Sequence, residues 1–123
     1  MSTDRITVLV VEDEALLRMG IVMELEDAGF DIVAACNATE AIELLVANKS
    51  ISVMFTDVDM PGGVDGLKLA AAVRDRWPPI TIIVTSGVHK IDVGKLPVKG
   101  RFLPKPYSPE VVIRNIQEML FAN

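Results

Sequence analysis

The sequence predicts an α/β domain: a doubly wound, five-stranded parallel sheet covered by helices on both sides. Three observations predict it. Five short apolar segments of strand length, rich in β-branched residues, alternate along the chain with segments whose apolar residues recur at helical spacing. The first of them, residues 6–11 (ITVLVV), is apolar almost throughout, as a strand buried on both faces must be. Cap and breaker residues fall where strand spacing gives way to helix spacing and back. A five-stranded sheet of this kind commonly runs 2-1-3-4-5, with its ligand crevice outside the ends of strands one and three.

Each element follows in order. After strand one, Leu17, Ile21, Leu25 and Ala28 recur at helical spacing from Ala15 onward, Glu14 and Arg18 are placed to pair at i, i+4, and Gly29 ends the helix. Strand two occupies residues 31–35. Asn37 and Glu40 have the spacing of an N-cap and its reciprocal partner, which predicts a helix over 38–47 with Ala41, Leu44 and Leu45 inward. Residues 51–56 (ISVMFT) form strand three. Asp65 caps a helix carrying Leu67, Ala70 and Val73, and Trp77-Pro78-Pro79 stops it. Strand four spans 80–85 and a short strand five lies near 101–103. The last helix opens with Ser108 as N-cap and Pro109 at its first position, and buries Val112, Ile116, Met119 and Leu120.

The connection between strands four and five is the unusual one. Residues 87–99 contain Gly87, Gly94 and Pro97. Gly inside a helix costs ~1 kcal/mol and Pro ~3 kcal/mol relative to Ala, so the helix expected there is short or irregular.

Composition narrows the function. Twelve Lys and Arg against 17 Asp and Glu give a net charge of −5, which argues against a phosphate-backbone binder, and aromatics at 5% give little for base stacking. Apolar runs reach only about five residues, far below the ~20 of a membrane span, and the N-terminus has no signal-peptide pattern. With a single cysteine, Cys36, no internal disulfide is possible, and a cytoplasmic location is expected. One domain over residues 1–123 is all the length allows.

The chemistry gathers at the strand ends. Glu12 and Asp13 end strand one, Asp57 ends strand three, Ser86 ends strand four and Lys105 follows strand five, so the topology brings all five to one edge. Three carboxylates at close range repel unless a cation lies among them; Mg²⁺ suits such an oxygen-rich set, and Lys105 supplies a fixed positive charge. Asp57, alone at the end of an apolar strand, is the nucleophile of choice for a phosphoryl group, with Lys105 and the Ser86 hydroxyl left to take charge on the phosphoryl oxygens.

The segments VVEDE (10–14), FTDVDMPG (55–62), IIVTSG (82–87) and FLPKPY (102–107) resemble the receiver domain of two-component response regulators over essentially the whole chain. The resemblance implies a flavodoxin-like fold and a phosphorylation-activated switch, not a turnover enzyme. It implies Asp57 as phosphoacceptor, Asp13 as a direct Mg²⁺ ligand, Glu12 as the acidic partner that reaches the metal through water, and Asp59 as the donor of a backbone carbonyl. Ser86 and Lys105 match the groups that contact the phosphoryl group. Phe102 matches the aromatic that swings inward, and Pro106 the proline after a cis bond. The implied partners are a sensor histidine kinase or histidine phosphotransfer protein and a downstream protein that reads the phosphorylated state, with no direct nucleic-acid contact and no membrane insertion. Two features depart from the family pattern besides the short 87–99 connection: Glu12 replaces the commoner Asp, and Gly62-Gly63-Val64-Asp65 is one residue longer than usual.

Taken singly, these residues have simpler explanations: acidic pairs start helices, and Ser-Gly makes turns. Their joint order at successive strand ends is what favours a site. His89 reads as an exposed loop residue, Cys36 as packing, Met19, Met23, Met54, Met60 and Met119 as core filler, and Trp77 as the cover of a helix end. Asp57-Val58-Asp59 also resembles the nucleophile motif of haloacid-dehalogenase-type phosphatases, but there the nucleophile strand comes first. A flavin-binding relative of the fold would need a Ser/Thr-rich phosphate loop after strand one, which is missing. With only three residues after the last expected helix, the chain is either a single-domain protein, which Met1 favours, or a piece of a longer one.

Overall fold

The computed structural model describes residues 6–58, 66–87 and 100–121. The elements run β1 (Thr7–Val11), α1 (Ala15–Asp27), β2 (Asp31–Ala35), α2 (Ala38–Ala47), β3 (Ile51–Asp57), α3 (Gly66–Arg76), β4 (Thr81–Ser86), β5 (Gly100–Pro104) and α4 (Pro109–Phe121). The expected fold class is the observed one: a five-stranded sheet in the order β2-β1-β3-β4-β5, every neighbouring pair parallel. Asp59, the Asp65 cap, Met60, His89 and all but Gly87 of the 87–99 connection, where a short helix is expected, lie outside the described residues.

Strand alternation sorts the core into two layers, because successive side chains point to opposite faces. Leu9, Met54, Ile82 and Val84 pack with Ala41, Leu45, Leu69 and Val73, which places α2 and α3 on one face. Val8, Val10, Phe55, Ile83 and Leu103 pack with Ile21, Leu25, Val112 and Ile116, which places α1 and α4 on the other.

The helix ends show why the chain turns where it does. At the end of α1, Gly29 takes φ +102°. Its N–H donates to the Glu26 carbonyl at 3.0 Å while the Phe30 N–H donates to Leu25 at 3.1 Å, a Schellman closure that a side chain at Gly29 would strain. At α2 the Asn37 side chain accepts from the Glu40 N–H at 2.8 Å, and Glu40 reaches back to the Cys36 N–H at 2.7 Å, one residue before the cap. Ser108 accepts from the Val111 N–H at 3.3 Å, as expected of the N-cap of α4.

Several expectations are corrected. The inward stripe of α1 is narrower than its sequence suggests: Ile21 and Leu25 are buried, but Leu17 and Ala28 are exposed. Arg18 does not serve Glu14; its guanidinium Nη1 donates to the Glu12 carbonyl at 2.8 Å. Met19 and Met23 are exposed on α1, while Met54 is fully buried as expected. Cys36 is exposed, because it follows the last residue of edge strand β2 and lies beyond the sheet. Trp77 is half-buried against the α2/α3 layer, with the Arg76 guanidinium 4.5 Å from its ring centroid. Among the described residues no helix is long and apolar enough to cross a membrane.

Candidate functional site at the carboxyl edge of the sheet

Four sequence-predicted residues meet at the carboxyl edge: Glu12 and Asp13 beyond β1, Asp57 at the end of β3, and Lys105 just beyond β5. Lys105 Nζ lies 2.7 Å from Asp57 Oδ2, an ion pair that spans β4. Backbone bonds fix both partners, since the ladders continue past the strands: the Val58 N–H donates to Thr85 at 2.9 Å and the Lys105 N–H to Ser86 at 3.1 Å. The Lys105–Pro106 peptide is cis. Carboxylate oxygens of Glu12, Asp13 and Asp57 lie within 4.8 Å of one another. Glu12 and Asp57 are buried and Asp13 is exposed.

Electrostatics follow from that crowding. Glu12 is pushed up from 4.5 to about 7, chiefly by burial, with the Asp57 charge and a hydrogen bond to Asp13 adding to it. The Glu14 N–H, 3.0 Å from Glu12 Oε2, and the Lys105 charge pull the other way. Among the described residues, the three carboxylates crowd around the Lys105 ammonium that pairs with Asp57. All-oxygen donors of this number and spacing fit a hard divalent cation such as Mg²⁺.

Ser86 is buried at the end of β4, and by alternation it shares a sheet face with Val84, the register partner of the half-buried Phe102. The two expected switch residues thus lie on one face of neighbouring strands, opposite the face of Phe55 and Asp57. Three further residues bear on the site. Tyr107 packs edge-on against Phe55, with ring centroids 5.2 Å apart, and burial followed by the charges of Glu12 and Asp57 raises its hydroxyl to about 12. Gly66 and Gly87 lie where β-carbons would meet Asp57 and Lys105. The readable signals were an aromatic after Lys-Pro and glycines shortly after each of two strand ends. Beside the site a groove of about 570 Å³ runs between α1, at Leu16, Leu17 and Gly20, and Pro106, Tyr107 and Pro109.

Comparison with known proteins agrees with this geometry. The family model of the response regulator receiver domain matches residues 8–117. The sensor kinase CckA of Brucella abortus is 35% identical over 118 residues, which cover 93% of this chain and 12% of that kinase. The chain spans between 12% and 24% of the length of five curated relatives it matches. A response regulator receiver protein from Sinorhizobium medicae superposes with a TM-score of 0.88 at 29% identity, covering 98% of both chains. One from Pseudomonas putida superposes at 0.81 with 31% identity, covering 95% of this chain and 99% of that one. With the family model spanning nearly all of the sheet and helices, and the acidic cluster and lysine at its carboxyl edge, the chain belongs to the response regulator receiver domain family.

Proposed function

We propose that residues 1–123 act as the phosphoacceptor switch of a two-component phosphorelay, taking a phosphoryl group on Asp57 from a sensor histidine kinase or a histidine phosphotransfer protein. The observation that carries this reading is the buried Asp57 carboxylate, held 2.7 Å from the Lys105 ammonium beside two more carboxylates.

An Asp57 carboxylate oxygen attacks phosphorus, and the bond from phosphorus to the donor's nitrogen breaks with its electron pair leaving on the donor. The product is an acyl phosphate. Lys105 stands ready to take the charge that grows on the phosphoryl oxygens, and the Ser86 hydroxyl offers a further hydrogen bond. Glu12, Asp13 and Asp57, with the Asp59 backbone carbonyl that the family pattern implies, would hold Mg²⁺; when bound, the ion neutralises charge on the phosphoryl oxygens. Phosphate accumulates on the protein instead of turning over, so the output is a change of shape. Ser86 is drawn toward the phosphoryl group, and Phe102, on the same sheet face, moves into the space it leaves. The exposed apolar residues of α1 beside the groove, Leu16, Met19 and Met23, offer the donor protein a surface to cover.

Intact mass measurement after incubation with acetyl phosphate or phosphoramidate tests the reading. One added phosphate that requires Mg²⁺ and is lost in Asp57→Asn is expected. Labelling that persists in Asp57→Asn, or continuous hydrolysis of phosphate esters without a labelled protein, would overturn it.

A further inference from the structure

We infer that Thr85 is a second hydroxyl of the phosphorylation site, unpaired in the resting protein and donating to the Asp57 side chain once it is phosphorylated. The inference rests on the phosphoacceptor reading of Asp57.

Thr85 is 1% exposed, and its Oγ1 is a buried side-chain oxygen without a hydrogen-bond partner. Unmet buried hydroxyls are costly, and valine has the same shape without the penalty. The position is the informative part. Thr85 is the register partner of Asp57 across the β3/β4 ladder. Phe55 and Ile83, two residues earlier on each strand, both face the α1/α4 layer, so Asp57 and Thr85 share that face. The Asp57–Lys105 ion pair passes over the same strand. The Lys105 stem runs beside Gly87, where a β-carbon would come within 3.2 Å of Lys105 Cβ and 3.4 Å of Cδ. Thr85 therefore stands beneath the ion pair, whereas Ser86 belongs to the opposite face.

Phosphorylation changes what the Asp57 oxygens need. In the resting state Oδ2 accepts from the Lys105 ammonium at 2.7 Å. The attached phosphoryl group carries its charge farther out, and the ammonium follows the larger charge. The acyl oxygen it leaves is still buried and still an acceptor. Thr85 Oγ1 is the buried donor next to it on the sheet, so the exchange satisfies two groups at once and favours the phosphorylated state.

Equilibrium binding of beryllofluoride with Mg²⁺, which mimics the phosphoryl group on a carboxylate, is measured for the wild type, Thr85→Val, Thr85→Ser and Asp57→Asn. Thr85→Val should bind at least about fivefold more weakly, the loss of one hydrogen bond, while Thr85→Ser stays within about twofold of the wild type. Without beryllofluoride, Thr85→Val should melt at the same or a higher temperature than the wild type. In the wild-type complex the Thr85 hydroxyl proton should become slow to exchange and visible by NMR, a readout that depends on no variant. Equal binding by Thr85→Val and wild type, equal weakening in Val and Ser, or no protected hydroxyl proton in the complex would overturn the role of Thr85. Binding by Asp57→Asn as tight as by the wild type would instead overturn the phosphoacceptor reading.

Discussion

Gly66, the first residue of α3, packs against the backbone carbonyl of Asp57, so closely that a β-carbon there would overlap it and approach the Val58 Cα to 2.8 Å. The start of α3 therefore packs directly on the end of β3, with no room for a side chain between Gly66 and the Asp57 carbonyl. Gly66→Ala should cost about 1–3 kcal/mol of stability, read by thermal or urea unfolding, and should slow Asp57 labelling because the strand end must shift. Gly20, in the middle of α1, is the control. A β-carbon there meets nothing within 4 Å, and Gly20→Ala should stabilise by about 0.5–1 kcal/mol.

Lys105 neutralises a carboxylate that is almost wholly out of water. Its removal in Lys105→Met should destabilise the protein by roughly 2–3 kcal/mol at pH 7, less than for a fully buried pair because 23% of the lysine side chain is exposed. Urea unfolding of the wild type and the variant at pH 7 checks this.

Glu12 makes the wild type itself pH-dependent. Its carboxyl is raised from 4.5 to about 7 in the folded protein, so between those values the folded state binds more protons than the unfolded. This contribution is fully present below pH 4.5 and is lost as pH rises through about 7. In the absence of Mg²⁺ the loss amounts to roughly 3 kcal/mol. Glu12→Gln should flatten that slope. Because the cation competes with the proton, Mg²⁺ affinity should rise with pH over the same range in the wild type.

The Asn37 side chain bonds local groups, accepting from the Glu40 N–H and donating to Cys36 Sγ. Asn37→Ala removes the acceptor for the Glu40 N–H and should cost about 1 kcal/mol, with Mg²⁺-dependent labelling unchanged. A labelling defect in this variant would show that α2 is coupled to the site.

Ser86 and Phe102 should respond together. Structures with and without beryllofluoride are expected to differ in the Phe102 ring position and in the backbone after Ser86, and Ser86→Ala should remove both differences. Unlike tyrosine, phenylalanine brings no hydroxyl that needs a partner when it is buried.

Much of this was legible in the sequence. The apolar run 6–11 and the alternating periods named an open parallel sheet, and that topology alone places Glu12, Asp13, Asp57 and Lys105 at one edge, because parallel strands all end on the same side. Caps such as Asn37, Ser108 and Gly29 were equally readable, since their chemistry is confined to a few neighbouring residues. Partner choice was not. Arg18 has Glu14 at ideal helical spacing yet bonds the Glu12 carbonyl, because the turn out of β1 presents that carbonyl to it. Leu17, Met19 and Met23 read as core, but the sheet covers only the Ile21–Leu25 side of α1. Thr85 passed as one more β-branched strand residue, and only the register of β4 between β3 and β5 sets its unpaired hydroxyl under the Asp57–Lys105 ion pair. Periodicity is a property of neighbours along the chain, whereas pairing depends on residues nearly 50 positions apart that only packing brings within 3 Å.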